Sequence, residues 1–179
     1  MKIGAVLAGM LTLSLLSTPP SSQTALPRLV ANSHAAEAPI TLPLVNPKYP
    51  ANVTDAATAL AADVNAERAK RGLPALVRDD ALERFAYAKA VEMAARGYFG
   101  HTDPDGITFE DRLRAWHWPT TYAGENIAYD TDERHAHAAF MNSPEHAHNV
   151  LDPRESRLGV AVVTVGADET FYVEDFSAR

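Results

Sequence analysis

The run LGVAVVTV (158–165), the link GADE (166–169) and the run TFYVEDF (170–176) decide the fold class. The first run is rich in β-branched residues, which suit a pleated and largely buried surface. The second alternates enough to return beside it, and the glycine-bearing link between them has turn chemistry. The spacing predicts an antiparallel hairpin near the end of the chain.

Upstream of this hairpin the dominant period is helical. Ala57, Leu60, Ala61, Val64 and Arg68 recur at helical spacing, and Arg71-Gly72 reads as a stop. Pro74 prevents immediate re-entry. Asp79 or Asp80 can cap a second helix whose apolar stripe is Leu82, Phe85, Ala86, Ala90, Met93 and Ala94, ending at Arg96-Gly97. Residues 98–106 read as a loop with a Pro-Asp-Gly turn signal. Thr108 can cap a short helix through Phe109, Leu113 and Trp116. A further helix spans about 132–142, and Pro144 limits its end. Helices first and a hairpin last make an α+β fold, with helices packed on a small antiparallel sheet.

The N-terminal part has a different character. Lys2 precedes an apolar run (3–16) without a charged residue, and the polar, proline-rich STPPSSQTALP (17–27) comes next. This is the layout of a secretory signal, and the run is short for a membrane span. Ser33-His34-Ala35 offers a cleavage site, which makes 1–35 the signal peptide; a cut after Ala25 or a retained anchor are the alternatives. Residues 36–53 hold four prolines and little periodicity, and read as a linker. The folded domain is expected over 54–179, as a monomer that is secreted or held in the cell envelope and is not integral to the membrane once the signal is cut.

Charge and cysteine content narrow the function. The net charge is −7. The leader carries Lys2 and Arg28 and no acidic residue, so the mature domain is more acidic still. An acidic domain lacks the basic face that nucleic-acid binding needs. There is no cysteine, hence no disulfide, thiolate ligand or cysteine nucleophile.

Within YAGENIAY (122–129), Glu125 and Asn126 stand between Gly124 and the apolar Ile127-Ala128. If that flank is buried, Glu125 needs partners. Candidates are His101, after the aromatic Tyr98-Phe99, and His146, in NSPEHAHNVL (142–151). Such a set is either a hydrogen-bonded cluster that fixes loops or a His₂-carboxylate site of the kind zinc accepts. His135, His137 and His148 are not spaced to share a helix face with one another and are expected to face solvent. Asn65 and Arg68 should tie the first helix to a neighbouring loop. Trp116, Trp118 and Tyr122 offer either packing or an apolar groove. Ser143 has no nucleophile elbow around it.

Seven pieces in order carry a family resemblance: VNAERAKRGLPAL (64–76), ALERFAYAKAVEMAARGYFGHTDPDG (81–106), DRLRA (111–115), GENIA (124–128), NSPEHAHNVL (142–151), LGVAV (158–162) and YVEDF (172–176). Together they resemble a bacterial member of the CAP superfamily of cysteine-rich secretory, antigen five and pathogenesis-related proteins. The resemblance implies an α-β-α sandwich in which His101, Glu125 and His146 line one cleft, with zinc or another divalent metal as a candidate occupant. Animal and plant relatives usually add a glutamate on the helix before the second histidine. Residues 138–143 here hold no carboxylate, so the implied cleft has three members. The function implied is an exported binding or interaction module without catalytic turnover, for an apolar small molecule, a cell-wall component or a protein. The alternative is a metal-dependent hydrolase using the same cleft, with a second carboxylate supplied by Glu145 or Glu174.

Overall fold

The computed structural model describes residues 54–120, 122–165 and 170–178. The expected signal peptide, the linker and the 166–169 turn lie outside the described residues. Among the described residues the elements run α1 (Thr54–Lys70), β1 (Val77–Arg78), α2 (Asp80–Arg96), α3 (Phe109–Ala115), β2 (Ala123–Asp130), α4 (Glu133–Asn142), α5 (Pro144–Leu151), β3 (Arg157–Thr164) and β4 (Thr170–Ser177). The strands form one sheet in the order β1-β3-β4-β2.

The hairpin forms as expected, with Leu158 opposite Phe176 and Val163 opposite Phe171. Two further strands extend it. β2 pairs antiparallel with β4, whereas the two-residue β1 pairs parallel with β3. The expected antiparallel sheet is therefore mixed, because β1 joins its edge in the same direction as β3. Pro144 does not merely end α4; it opens α5, where its missing N–H costs nothing at the first helical position.

Both faces of the sheet are covered. α1, α4 and α5 lie on one side, where Ala57, Leu60, Val64, Phe140 and Val150 meet Leu158, Val160, Val162, Tyr172 and Phe176. α2 covers the other, with Ala86, Ala90 and Met93 against Ile127, Ala161, Val163 and Val173. This explains why 158–165 is apolar at successive positions rather than alternating: side chains on both faces of β3 meet a helix. Gly159 makes the second layer possible. A Cβ there would overlap the Leu82 backbone carbonyl, so α2 lies directly on the strand.

The helix ends agree with the sequence signals. Asp79 caps α2 through the amides of Ala81 and Leu82, and Gly97 closes it with φ 67°. Arg68 ties α1 to the loop after it, as expected, and also to the end of α5: its fully buried guanidinium donates to the carbonyls of Pro74, Val150 and Asp152 at 2.8–2.9 Å. Asn65 exchanges two hydrogen bonds with the Leu76 backbone.

Candidate functional site

The period of two along β2 splits its polar residues between the faces of the sheet. Glu125 shares a face with Ile127, toward α2 and α3. Asn126 shares the opposite face with Ala128, toward α1, α4 and α5. In the β2–β4 ladder Glu125 lies opposite Asp175, and Asn126 lies opposite Glu174.

Two cations or potential cations meet Glu125. His101 Nδ1 stands 2.9 Å from its Oε1. Arg112 Nη2 donates to both oxygens, at 2.8 and 2.6 Å. The Glu125 side chain is only 1% exposed. Burial works to raise its pKa, but the hydrogen bond from His101 and the charge of Arg112 win and hold it below the usual carboxylate range. An ionised carboxylate can only accept, so His101 Nδ1 carries the proton and donates.

Local structure fixes both partners. Lys89 on α2, itself buried, donates to the Tyr98 hydroxyl at 3.0 Å and to the His101 carbonyl at 3.1 Å. Arg112 belongs to α3, whose first turn is locked by a reciprocal capping box between Thr108 and Asp111. Its guanidinium stacks over Phe85 and Phe109, 5.1 and 5.4 Å from the ring centroids. Beside this assembly a cleft of about 290 Å³ is lined by His101, Thr102, Thr108, Phe109, Glu110 and Glu125.

His146 is placed differently. No hydrogen bond joins it to Glu125 or His101. Its ring lies 5.4 Å from that of Phe140, and its buried Nδ1 has no hydrogen-bond partner among the described residues. Burial lowers its pKa, and the charge of His101 lowers it further. α5 is instead tied to the sheet through its backbone and Asn149. Asn126 Nδ2 donates to the His146 carbonyl at 3.2 Å and to Glu174 at 3.0 Å, and Asn149 Nδ2 donates to Asn126 Oδ1 at 2.9 Å.

The sequence profile of the cysteine-rich secretory protein family (CAP) matches residues 61–176. The chain belongs to the CAP family. It is 37% identical over 105 residues to the uncharacterized protein YkwD of Bacillus subtilis, covering 58% of this chain and 40% of that protein. It is 32% identical over 116 residues to the uncharacterized membrane protein YlbC of the same organism, covering 64% and 32%. The chain thus spans well under half the length of these curated relatives. An extracellular protein of Bacillus anthracis containing an SCP domain superposes with a TM-score of 0.63 at 28% identity, over 70% of this chain and 41% of that one. An outer surface protein of Borrelia burgdorferi reaches 0.67 at 21% identity, over 72% and 96%, and shows the shared fold.

Within this CAP domain the divalent metal implied by the resemblance meets a donor set that does not fit it. Arg112 engages both Glu125 oxygens and sets a fixed positive charge where a cation would sit. Among the described residues no three His, Asp or Glu side chains are grouped to hold an ion. Of the carboxylates considered from the sequence, Glu145 is exposed, and Glu174 is buried on the opposite face of the sheet. The second acid near Glu125 is Asp175. It is fully buried, and neither of its oxygens has a hydrogen-bond partner among the described residues.

Arg112, Lys89 and Asp175 were not identified from the sequence. The signal for Asp175 was present: two acids inside the buried run TFYVEDF demand an explanation. Arg112 gave none, because it lies thirteen positions from Glu125 on a separate element. His137 departs from expectation as well. It is half-buried, and its Nδ1 has no hydrogen-bond partner among the described residues, whereas His135 and His148 are exposed. Trp116 packs edge-on against Phe85, and Trp118 donates to Ser177 at 2.8 Å, so both serve packing rather than an open groove.

Proposed function

We propose that this chain is an exported binding or interaction module whose ligand enters the cleft beside His101 and Glu125. One observation carries the reading: both oxygens of the Glu125 carboxylate are already engaged by Arg112 and His101. A general base or a metal ligand must also face its target, and the Glu125 side chain, with three hydrogen bonds on it, is only 1% exposed. A carboxylate clamped in this way serves as a scaffold that orients His101 toward the cleft.

The lining favours a particular ligand chemistry among those expected. The hydroxyl of Thr102, the imidazole of His101 and the carboxylate of Glu110 surround one aromatic ring, Phe109. That set suits a small hydroxyl- and amide-bearing molecule with one apolar face, such as a cell-wall glycan fragment, better than a wholly apolar one. Export is supported by the signal layout of 1–35 and by the extracellular description of the Bacillus anthracis relative. Among the described residues no helix is long and apolar enough to cross a membrane.

The test is titration of tag-free protein with soluble peptidoglycan fragments and, separately, with a fatty acid. Imidazole NMR signals are followed together with the chemical integrity of the added molecule. Binding without consumption, with His101 responding to the glycan fragment and not to the fatty acid, is the expected result. Cleavage of the fragment at a rate abolished by Glu125→Gln would overturn the reading in favour of an enzyme.

A further inference from the structure

The mismatch between the implied metal and the residues present has a specific cause in this chain. We infer that Arg112 takes the place of a divalent cation in organising the cleft, and that its guanidinium is what keeps zinc from the Glu125 carboxylate. The inference concerns the same cleft as the functional proposal but depends on no ligand.

Three observations carry it. Arg112 Nη2 bridges both Glu125 oxygens, the role a metal ion would have toward that carboxylate. The guanidinium is held there by the capping box of α3 and by the rings of Phe85 and Phe109, so it does not yield the carboxylate without losing that packing. The buried Lys89, which donates to the His101 carbonyl, adds a second positive charge next to the cleft. A dication approaching Glu125 therefore meets a carboxylate already neutralised and two like charges in a poorly solvated place.

The chemistry differs in one observable way. A guanidinium stays charged at every accessible pH, whereas zinc binds neutral imidazole and is displaced by protons. A cleft organised by Arg112 should thus keep its geometry under chelation and under mild acid.

The experiment titrates tag-free protein with zinc chloride, read by competition with a chromophoric chelator and by the His101 and His146 imidazole signals. The variants are Arg112→Met, which keeps apolar contact with the two rings, Arg112→Lys, which keeps the charge, and the double variant Arg112→Met with Glu125→Gln. Wild type and Arg112→Lys should leave both imidazole signals unmoved by zinc. Arg112→Met should bind zinc on the order of 100-fold more tightly, with the His101 signal moving, because removing a like charge near a dication is worth at least that. The double variant should lose the gain. Zinc moving both histidines in the wild type overturns the inference without any variant, and so does a cooperatively melting Arg112→Met with wild-type zinc affinity. Should Arg112→Met not fold, Arg112→Gln, which retains a donor for Glu125, takes its place beside the wild-type arm. None of these outcomes touches the glycan titration, so the two readings fail separately.

Discussion

Glu125 lies directly opposite Asp175 across the β2–β4 ladder, and their surroundings push the two carboxyl groups in opposite directions. Glu125 is held below the usual range despite burial. Asp175 is raised well above it, by burial first and then by the charge of Glu125. One guanidinium neutralises one carboxylate, and Arg112 is committed to Glu125. Replacing the committed acid strands a buried cation, so Glu125→Gln should cost about 3 kcal/mol at neutral pH. Asp175→Asn removes a group that has no hydrogen-bond partner among the described residues and should be neutral or stabilising at the same pH. Urea unfolding of both variants measures the contrast; equal losses would mean that Asp175 is paired in solution.

A second prediction concerns Glu174, whose carboxyl burial pushes up to about 8. A raised acid binds its proton more tightly folded than unfolded. Its contribution to stability is complete below the unfolded value and is lost as pH rises through the folded one. Stability should therefore decline between about pH 5 and pH 8. Glu155, raised to about 7 by burial and by Asp152, adds to the same limb. Glu174→Gln keeps an acceptor for Asn126 and should flatten the decline, gaining about 4 kcal/mol at pH 8 and little at pH 5. Parallel pH–stability curves for the two proteins would rule this account out.

The glycines of the sheet should rank by what faces them. A Cβ on Gly124 would come within 2.7 Å of the Asn149 side chain, which can shift only by giving up its bonds to Asn126 and to the Glu125 carbonyl. A Cβ on Gly159 would overlap the backbone of α2, which cannot move alone. Gly159→Ala should cost about 3 kcal/mol or more and Gly124→Ala about half of that. Thermal melts give the order, and a milder Gly159 variant would show that α2 has slack against β3.

Arg68 should prove the most sensitive charged residue outside the cleft. Burial lowers its pKa, and its guanidinium is matched to the carbonyls of Pro74, of Val150 near the end of α5 and of Asp152 just beyond it. Arg68→Met strands those carbonyls and should cost about 3–5 kcal/mol. Arg68→Lys cannot reproduce the planar fork and should recover only part of that loss. Full recovery in the lysine variant would reduce the role of Arg68 to charge alone.

Much of this architecture was legible in the sequence because local signals and burial agreed. The stripes of α1 and α2, the Asp79 cap, the Gly97 stop and the β3–β4 hairpin all arise from short-range patterns. β1 escaped because two residues carry no period. α5 escaped because Pro144 has two meanings, a stop for α4 and a first helical position for α5. In the cleft, His101 stands beside Glu125; the residues alone point only to polar groups next to buried segments, and it is the family resemblance that implies their meeting. The part played by Arg112 was not legible, since a guanidinium reaches its partner through tertiary packing, which leaves no mark in spacing.

The remaining question is whether His101 and His146 face one cleft, as the CAP resemblance implies, although no hydrogen bond connects them. The pKa of His146 provides the handle. It is lowered first by burial and then by the positive charge of His101, whereas Glu145 acts weakly the other way. His101→Asn removes that charge while keeping an N–H to donate to Glu125, so the clamp of Arg112 on Glu125 stays intact. In this variant the repulsion disappears and burial remains. His146 should therefore titrate higher than in the wild type and still below the unperturbed value of about 6.5. Salt gives an independent check, because a repulsion between partly exposed groups is screened and burial is not. Raising ionic strength in the wild type should move His146 in the same direction as His101→Asn, and should have a smaller effect in the variant. Histidine-resolved NMR titration measures all of this on folded protein. If His146 keeps its wild-type titration in His101→Asn and ignores salt, the two imidazoles do not share a cleft, and His146 is a packing residue of α5 against Phe140.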